Sequence, residues 1–477
     1  MLDQLDVLDP LRLLVALFLP WVLGVALYRR LSRAHPPVDS ARALGYGFFL
    51  GWMLVAVLLR AWGLAGWHWH YEGMAAGVAL AILLLLQSRW YLSPAAADAG
   101  QGSPPPPHAH VILLWAVAAL LLVRYLGLGL ELYWRPMMGW DAWATWAPKS
   151  KVWFQHQQFL PFVDPRTWIA SDPDRVFTVV GHVYPEAVPL IQTWMALGHG
   201  AWTEFAVSVP WLLLPLATGL LVYGEARHWG VDPNQALIGV LFLLTAPIVN
   251  AQVANAGYAD LWLAGWLCLT VALMFRFARY RRAALLVGLA LCLAGLAFIK
   301  REGAVYAAVL IAVLPSLWMG SYRRWWILAA GLFLGFVLAI LIGVRIDSPW
   351  GEVALSMDGI TAPGLGRFEF GFQPVIGPLL THLAVWDSWH LYWYLILAVL
   401  GLSVFHPRRS DLVSLAQIIL GLLIFLILFA FLFTDLGRWV IDGTLVDRLL
   451  LQVAPTALLL SLLMLGRLQQ GSSTREA

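Results

Sequence analysis

Between Glu131 and Pro189 the chain gathers residue types that can do chemistry. This stretch reads ELYWRPMMGWDAWATWAPKSKVWF, then a polar passage with Asp164, Arg166, Asp172, Asp174 and Arg175, then GHVYPEAVPLI. Asp141 opens a predicted helix and is flanked by Trp140, Trp143 and Trp146. A carboxylate ringed by indoles near the ends of apolar runs sees a low dielectric, which suits a general base toward a hydroxyl or an amine. The same placement also suits a plain helix cap, with the tryptophans anchored at a membrane interface. Lys149 and Lys151 follow Pro148, which fits the first turn of a helix. Two ammonium groups at this point suit an anionic headgroup such as a lipid phosphate, although ion pairs with Asp164, Asp172 or Asp174 would satisfy them equally.

Further candidates lie in short turns between apolar runs. Asp260 closes VANAGYAD, and Lys300-Arg301-Glu302-Gly303 fills another turn. Ionisable groups at membrane depth cost roughly 2.5 to 3.5 kcal/mol at the bilayer centre on insertion scales, so they face a cavity or one another. An Arg301 to Asp260 pair is the simplest arrangement. Near the end of the chain, Arg448 in TLVDRLLLQVAP could grip two phosphate oxygens, with the adjacent Asp447 as the competing partner. Neighbouring helical positions point about 100 degrees apart, so Asp447 need not consume it. His182 in GHVYP could ligate a metal, but no second His or carboxylate stands at helical ligand spacing, so no metal site is predicted. Tyr184 and Glu186 follow directly. The 27 tryptophans could stack on sugar rings or form interfacial belts; Trp140, Trp143 and Trp146 stand out because they flank the candidate acid.

The elements that must position these residues are membrane helices. Of 477 residues, 61% are hydrophobic and 12% charged, against roughly 25% charged in soluble domains. Apolar runs of about 17 to 25 residues recur, each able to cross a hydrocarbon core of about 30 Å as a helix; they are continuous and not alternating, which predicts helices and not a barrel. The fold class expected is all-α and polytopic. Thirteen spans are read from the sequence: Leu11–Tyr28, Ala43–Leu59, Gly73–Gln87, Val111–Leu130, Trp202–Tyr223, Ala236–Val249, Leu261–Phe275, Ala283–Ile299, Ala304–Met319, Trp325–Val344, Leu391–Phe405, Leu412–Phe433 and Leu449–Leu465. A helix over Glu186–Leu197 is too short to cross and is expected at the outer interface. Arg-rich turns such as RRLSR, RFARYRR, SYRR and HPRR fall on one side, the cytoplasmic one, and the 131–189 stretch on the other. The acidic MLDQLDVLDP ahead of the first run, with Arg29 and Arg30 behind it, has the charge order opposite to that of a signal peptide. SPAAADAGQGSPPPPHAH reads as a flexible linker and 345–378 as a second long loop. Cys268 and Cys292 both lie in apolar runs, so no disulfide framework is expected. A net charge of +3 gives no reason to expect nucleic acid.

The order of these motifs resembles the GT-C superfamily of membrane glycosyltransferases, of the protein O-mannosyltransferase and lipid A aminoarabinose transferase type. GWDAWATWAPKSKVWF, YPEAVPL, GYAD and FIKREG look like a bacterial branch of it with little functional description. The resemblance covers roughly 111–315 plus TLVDRLLLQVAP. It implies a polyprenyl-phosphate sugar donor, a periplasmic site in the bacterial inner membrane and an inverting transfer to an unknown glycan, lipid or protein acceptor. Asp141 matches the first-loop acid that activates the acceptor, and Asp260 the acid of the second outer turn. Lys149, Lys151, Arg301 and Arg448 would then hold the donor phosphate, and Trp140, Trp143, Trp146, His182, Tyr184, Glu186 and Glu302 would line the sugar or acceptor. The branch often carries Asp before Tyr-Pro, where this chain has Val183. Three spans precede the usual first one, and no soluble domain is expected after the last. The layout is thus a 1–110 extension, a 111–344 catalytic core and 345–477 with the second loop and final spans. No cofactor is called for, and metal dependence stays open. A transporter, or a polymerase or ligase of lipid-linked glycans, is the alternative.

Overall fold

The computed structural model describes residues 8–32, 39–87, 108–172, 175–318, 322–348, 351–362, 366–405 and 410–473. Asp174, the core of the predicted Pro-rich linker and the whole of HPRR lie outside the described residues. By contact, residues 1–225 with 250–261 form one compact unit, and 226–249 with 262–477 form a second.

The chain is a helical membrane protein: among the described residues eight helices are long and apolar enough to cross a membrane. In the first unit these include α1 (Leu8–Leu31), α2 (Ser40–Leu64) and α4 (His108–Trp134), with the shorter α3 (Tyr71–Gln87) between them. The helix α8 (Glu204–His228) begins in this unit. Tyr28 of α1 stacks on Tyr46 of α2, ring centroids 4.5 Å apart. Against this pair packs α7 (Ala187–His199), whose residues 187–198 are all buried. Its Trp194 indole donates to the Ala16 carbonyl at 2.9 Å, and Tyr71 leans on the same ring. Apart from Gln192, Thr193 and His199 the helix is apolar, and protein encloses it. The segment expected at or dipping into the outer interface is thus enclosed by protein, and the first three helices are part of its housing.

Ahead of α7 lie α5 (Ala147–His156) and α6 (Pro165–Ile169). Asp164 caps α6, accepting from the Arg166 and Thr167 amides at 3.0 and 3.1 Å and from the Thr167 hydroxyl at 2.6 Å. These bonds, the Thr167 hydroxyl foremost, hold the Asp164 carboxyl below the usual carboxylate range.

In the second unit, α17 (Asp411–Phe433) and α19 (Val446–Ser473) pack on each other, and α16 (Tyr392–Phe405) joins α19 through a Tyr392 hydroxyl bonded to the Ala454 carbonyl at 2.6 Å. The pair α12 (Ala283–Ile299) and α13 (Arg301–Val313) forms a hairpin. Tyr306 ties it to α19 through Gln452 at 2.9 Å. The sequence reading placed one span over Ala236–Val249; the structure has two helices there, α9 (Pro233–Thr245) and α10 (Pro247–Ala254), bent by 51°. Pro247 supplies no amide and disfavours the helical conformation at Ala246, which is extended at ψ 128. The helix α11 (Asp260–Tyr280) follows, with 89% of its most apolar window buried.

The second predicted loop, after α14 (Tyr322–Ile342), is a four-stranded antiparallel meander: β1 (Val344–Ser348), β2 (Gly351–Ser356), β3 (Gly359–Ala362) and β4 (Gly366–Glu369). Arg345 and Glu352 pair across β1 and β2 at 2.8 Å. The short helices α15 (Ile376–Leu380) and α18 (Arg438–Ile441) complete the unit.

Candidate functional site

Asp141 lies on a helix that runs from Trp140 to His156 and carries a π-helical turn over Ala142–Trp146. The Ala147 amide there reaches back five residues to the Ala142 carbonyl. Such one-turn bulges are rare and frequently occur at functional sites. The carboxylate is half-buried, and its backbone is already helical at φ −62, ψ −33. Among the described residues it makes no side-chain cap bond, so the cap reading does not explain it.

The bulge also sorts the tryptophans. Trp140 and Trp143 are exposed and meet edge to face at 5.0 Å. Trp146 turns inward, fully buried, with its ring against Tyr184 at 5.3 Å. Of the three indoles that flank the acid in sequence, two are open to a ligand and one is core.

This helix is the meeting point of three stretches that are far apart in sequence. Gly139 is pressed against the Tyr258 ring, where a side chain would not fit. A Cβ at Gly257 would stand 2.7 Å from that of Ala142, and Gly257 has φ +104, a conformation that disfavours any larger residue. The Trp211 indole holds the turn by donating to the Tyr258 carbonyl at 2.8 Å. On the other side Gly181 abuts the Thr145 side chain. Lys149 donates its ammonium to the His182 and Tyr184 carbonyls at 3.1 and 2.9 Å. The turn containing Gly257 and Tyr258 leads straight into Asp260, which is fully buried at the head of α11. Thus GWDAWATW, GHVYP and AGYAD occupy one junction within the first unit.

The two candidate lysines have different surroundings. Lys149 is 1% exposed and 5.9 Å from the Phe162 ring centroid, engaged with carbonyl oxygens. Lys151 is exposed, with its ammonium 5.4 Å over the Trp202 ring. Of the acids offered as their partners, Asp164 caps α6, Asp172 stands 3.8 Å from Arg175 in an exposed contact, and Asp174 lies outside the described residues. Glu186 pairs with Arg60 at the end of α2, Nε to Oε2 at 2.5 Å, and Arg60 lies 4.0 Å over the Phe159 ring.

Arg301, Glu302 and Arg448 belong to the second unit. Glu302 pairs with Lys300 at 2.8 Å. Asp447 accepts from Ser388 Oγ and Trp389 Nε1, each at 2.9 Å, and His382 Nδ1 lies 3.8 Å away. The neighbouring Arg448, half-buried, lies in the first turn of α19.

Two residues escaped the sequence reading. Arg60 ends an apolar run at a turn that the sequence reading puts on the outer side, where the positive-inside rule would give an arginine no reason to be. Arg124 sits within α4 and donates to Asn250 Oδ1 at 3.0 Å; an arginine inside a span is itself a pointer to a functional or polar contact. Among the described residues, no group of three or more His, Cys, Asp and Glu side chains could hold a metal.

No protein-family model matches the chain, and no curated protein or solved structure is significantly similar to it.

Proposed function

We propose that the protein is a GT-C-like glycosyltransferase of the bacterial inner membrane, moving a sugar from a polyprenyl-phosphate donor to an envelope acceptor on the periplasmic side. In this reading the bent pair α9–α10 and the shorter helices α3, α12, α14 and α16 are crossings, giving thirteen. Asp141 takes the proton of the acceptor hydroxyl or amine as that atom attacks the anomeric carbon. The bond from that carbon to the phosphate oxygen breaks with inversion, and the lipid phosphate leaves with the electron pair. Lys151 in the first unit is an exposed cation suited to that anion; the roles assigned to Arg301 and Arg448 rest on the resemblance of their motifs. Trp140 and Trp143 offer flat apolar faces of sugar-ring size.

The observation that carries the reading is the placement of Asp141. A half-buried carboxylate without a cap bond sits on a π-turn where the GHVYP and AGYAD turns converge. The test is a deletion strain analysed by mass spectrometry of envelope glycans and lipid-linked sugars. Accumulation of one polyprenyl-phosphate sugar together with loss of one residue from a glycan is the expected result, and unchanged profiles of both overturn the proposal.

A transporter is the second reading, favoured by the break between α9 and α10, since transporters bind substrate at discontinuous helices. Uptake of a labelled solute by proteoliposomes holding the purified chain, without chemical change to the solute, would support it.

A further inference from the structure

Gln192 lies midway along α7 and is completely buried, yet among the described residues neither Oε1 nor Nε2 of its amide has a hydrogen-bonding partner. Leaving both ends of a buried amide unmade carries the full desolvation penalty of each group, and native interiors rarely tolerate this without a reason. The surroundings supply one. Nε2 lies 3.5 Å from the point that a Cβ on Gly257 would occupy, beside the contact of Gly257 with Ala142. Ala142 is the residue next to Asp141, and Trp146, four positions on and so on the same side of the helix, also buries an indole Nε1 with no partner among the described residues. The junction beside the candidate base therefore holds one acceptor and two kinds of donor waiting for a polar ligand. At this point the methyl group of Ala142 packs against Gly257.

Resting on the glycosyltransferase reading, we infer that Gln192 reads a hydroxyl of the donor sugar, with Trp146 Nε1 as a second donor. A sugar hydroxyl gives one hydrogen bond and accepts others, matching a side-chain amide that offers Nε2–H and Oε1 together. Neither a polyprenyl chain nor a phosphate can do both: the first has no polar group and the second cannot donate when ionised. The hydroxyl reaches Gln192 by parting the Ala142–Gly257 contact. Gln192 thus sets which sugar is accepted and is not used for holding the lipid phosphate. A site built to bond a hydroxyl discriminates strongly against a ligand lacking it, because the site's own groups are then left unpaired.

The test uses the full chain in detergent, with Gln192→Leu and Gln192→Met as variants that keep the length and volume of the side chain close to those of glutamine. Melting temperature and binding are measured with undecaprenyl phosphate and with undecaprenyl phosphate carrying glucose, mannose or arabinose. Both variants are expected to melt at or above the parent temperature, because an unpaired amide has been removed. They should bind the bare lipid phosphate as the parent does and lose at least tenfold in affinity for the one sugar-bearing lipid that the parent prefers. If both variants melt several degrees below the parent, the amide is satisfied by an ordered water in the ligand-free protein, and the inference falls. It falls as well if the preference for sugar survives in either variant. A parent that binds none of the four lipids overturns the donor reading itself, a result distinct from a parent whose sugar preference the variants retain.

Discussion

The ammonium of Lys149 lies 2.9 Å from the carbonyl oxygen of Tyr184, thirty-five residues further along the chain. With the His182 carbonyl as a second acceptor, one buried side chain fixes the whole GHVYP turn to the helix that carries Asp141. Replacing Lys149 by Met should leave two carbonyls without their donor, at about 1 to 3 kcal/mol each, and lower the melting temperature of the purified chain. Arginine should rescue poorly, since its broad planar fork does not fit where a point charge sits. A Met variant with parental stability and weakened lipid-phosphate binding would instead return Lys149 to the ligand.

Asp141→Asn should behave in the opposite manner. Asparagine keeps the size and shape of the side chain at this half-buried position, so the melting temperature should stay near that of the parent. Transfer should fall by about 100-fold to 10,000-fold, on the order of 3 to 5 kcal/mol in the barrier, as expected for loss of a general base. Near-normal turnover measured with radiolabelled donor removes Asp141 from the mechanism.

Arg60 and Glu186 should couple in a double-mutant cycle by about 1 kcal/mol or less, because both side chains remain roughly a quarter exposed. Arg60→Ala should cost more than Glu186→Ala. It removes the guanidinium from the Phe159 face as well as the ion pair. Equal losses in the two single variants would show that the Phe159 contact contributes nothing.

The start of α6 should respond to acid in a defined direction. The Asp164 carboxyl is held below its ordinary value of 3.8 by the Thr167 hydroxyl and then by the amides it caps. A carboxyl lowered in the folded state stabilises that state fully above the unfolded value, and the contribution is lost as pH falls through the lower folded value. Hydrogen exchange at the Arg166 and Thr167 amides, compared between pH 6 and pH 3 after correction for intrinsic rates, should show protection lost only toward the acid end. Equal protection in Asp164→Asn and parent at pH 6 would mean that the charge is not needed for the cap.

How far the sequence reached can be seen in particular elements. Helices such as α2, α8 and α17 were legible because continuous apolar length is a strong local signal. The break at Ala246–Pro247 was hidden inside one such run, although the proline itself marked it. The β1–β4 meander was read as loop since its strands are four to six residues long and give only faint alternation. At the site, the motifs were individually visible, but their convergence depends on contacts such as Gly139 with Tyr258, which no local pattern encodes. Lys149 and Lys151 stand two positions apart, which on a helix turns them about 200 degrees from each other; which of the two is buried is decided by the GHVYP turn packing on the Lys149 side, which the local pattern does not encode.

The first unit is not contiguous: 250–261 returns to it only after 226–249 has been laid into the second. The Gly139 surface therefore waits for Tyr258 until roughly 120 more residues have left the ribosome, on the order of ten seconds at about 5 to 20 residues per second. Until then the helix bearing Asp141 is a half-finished socket within the inserting chain. The junction is completed late, so a chain truncated before residue 257 would carry the candidate base without the turn that closes around it.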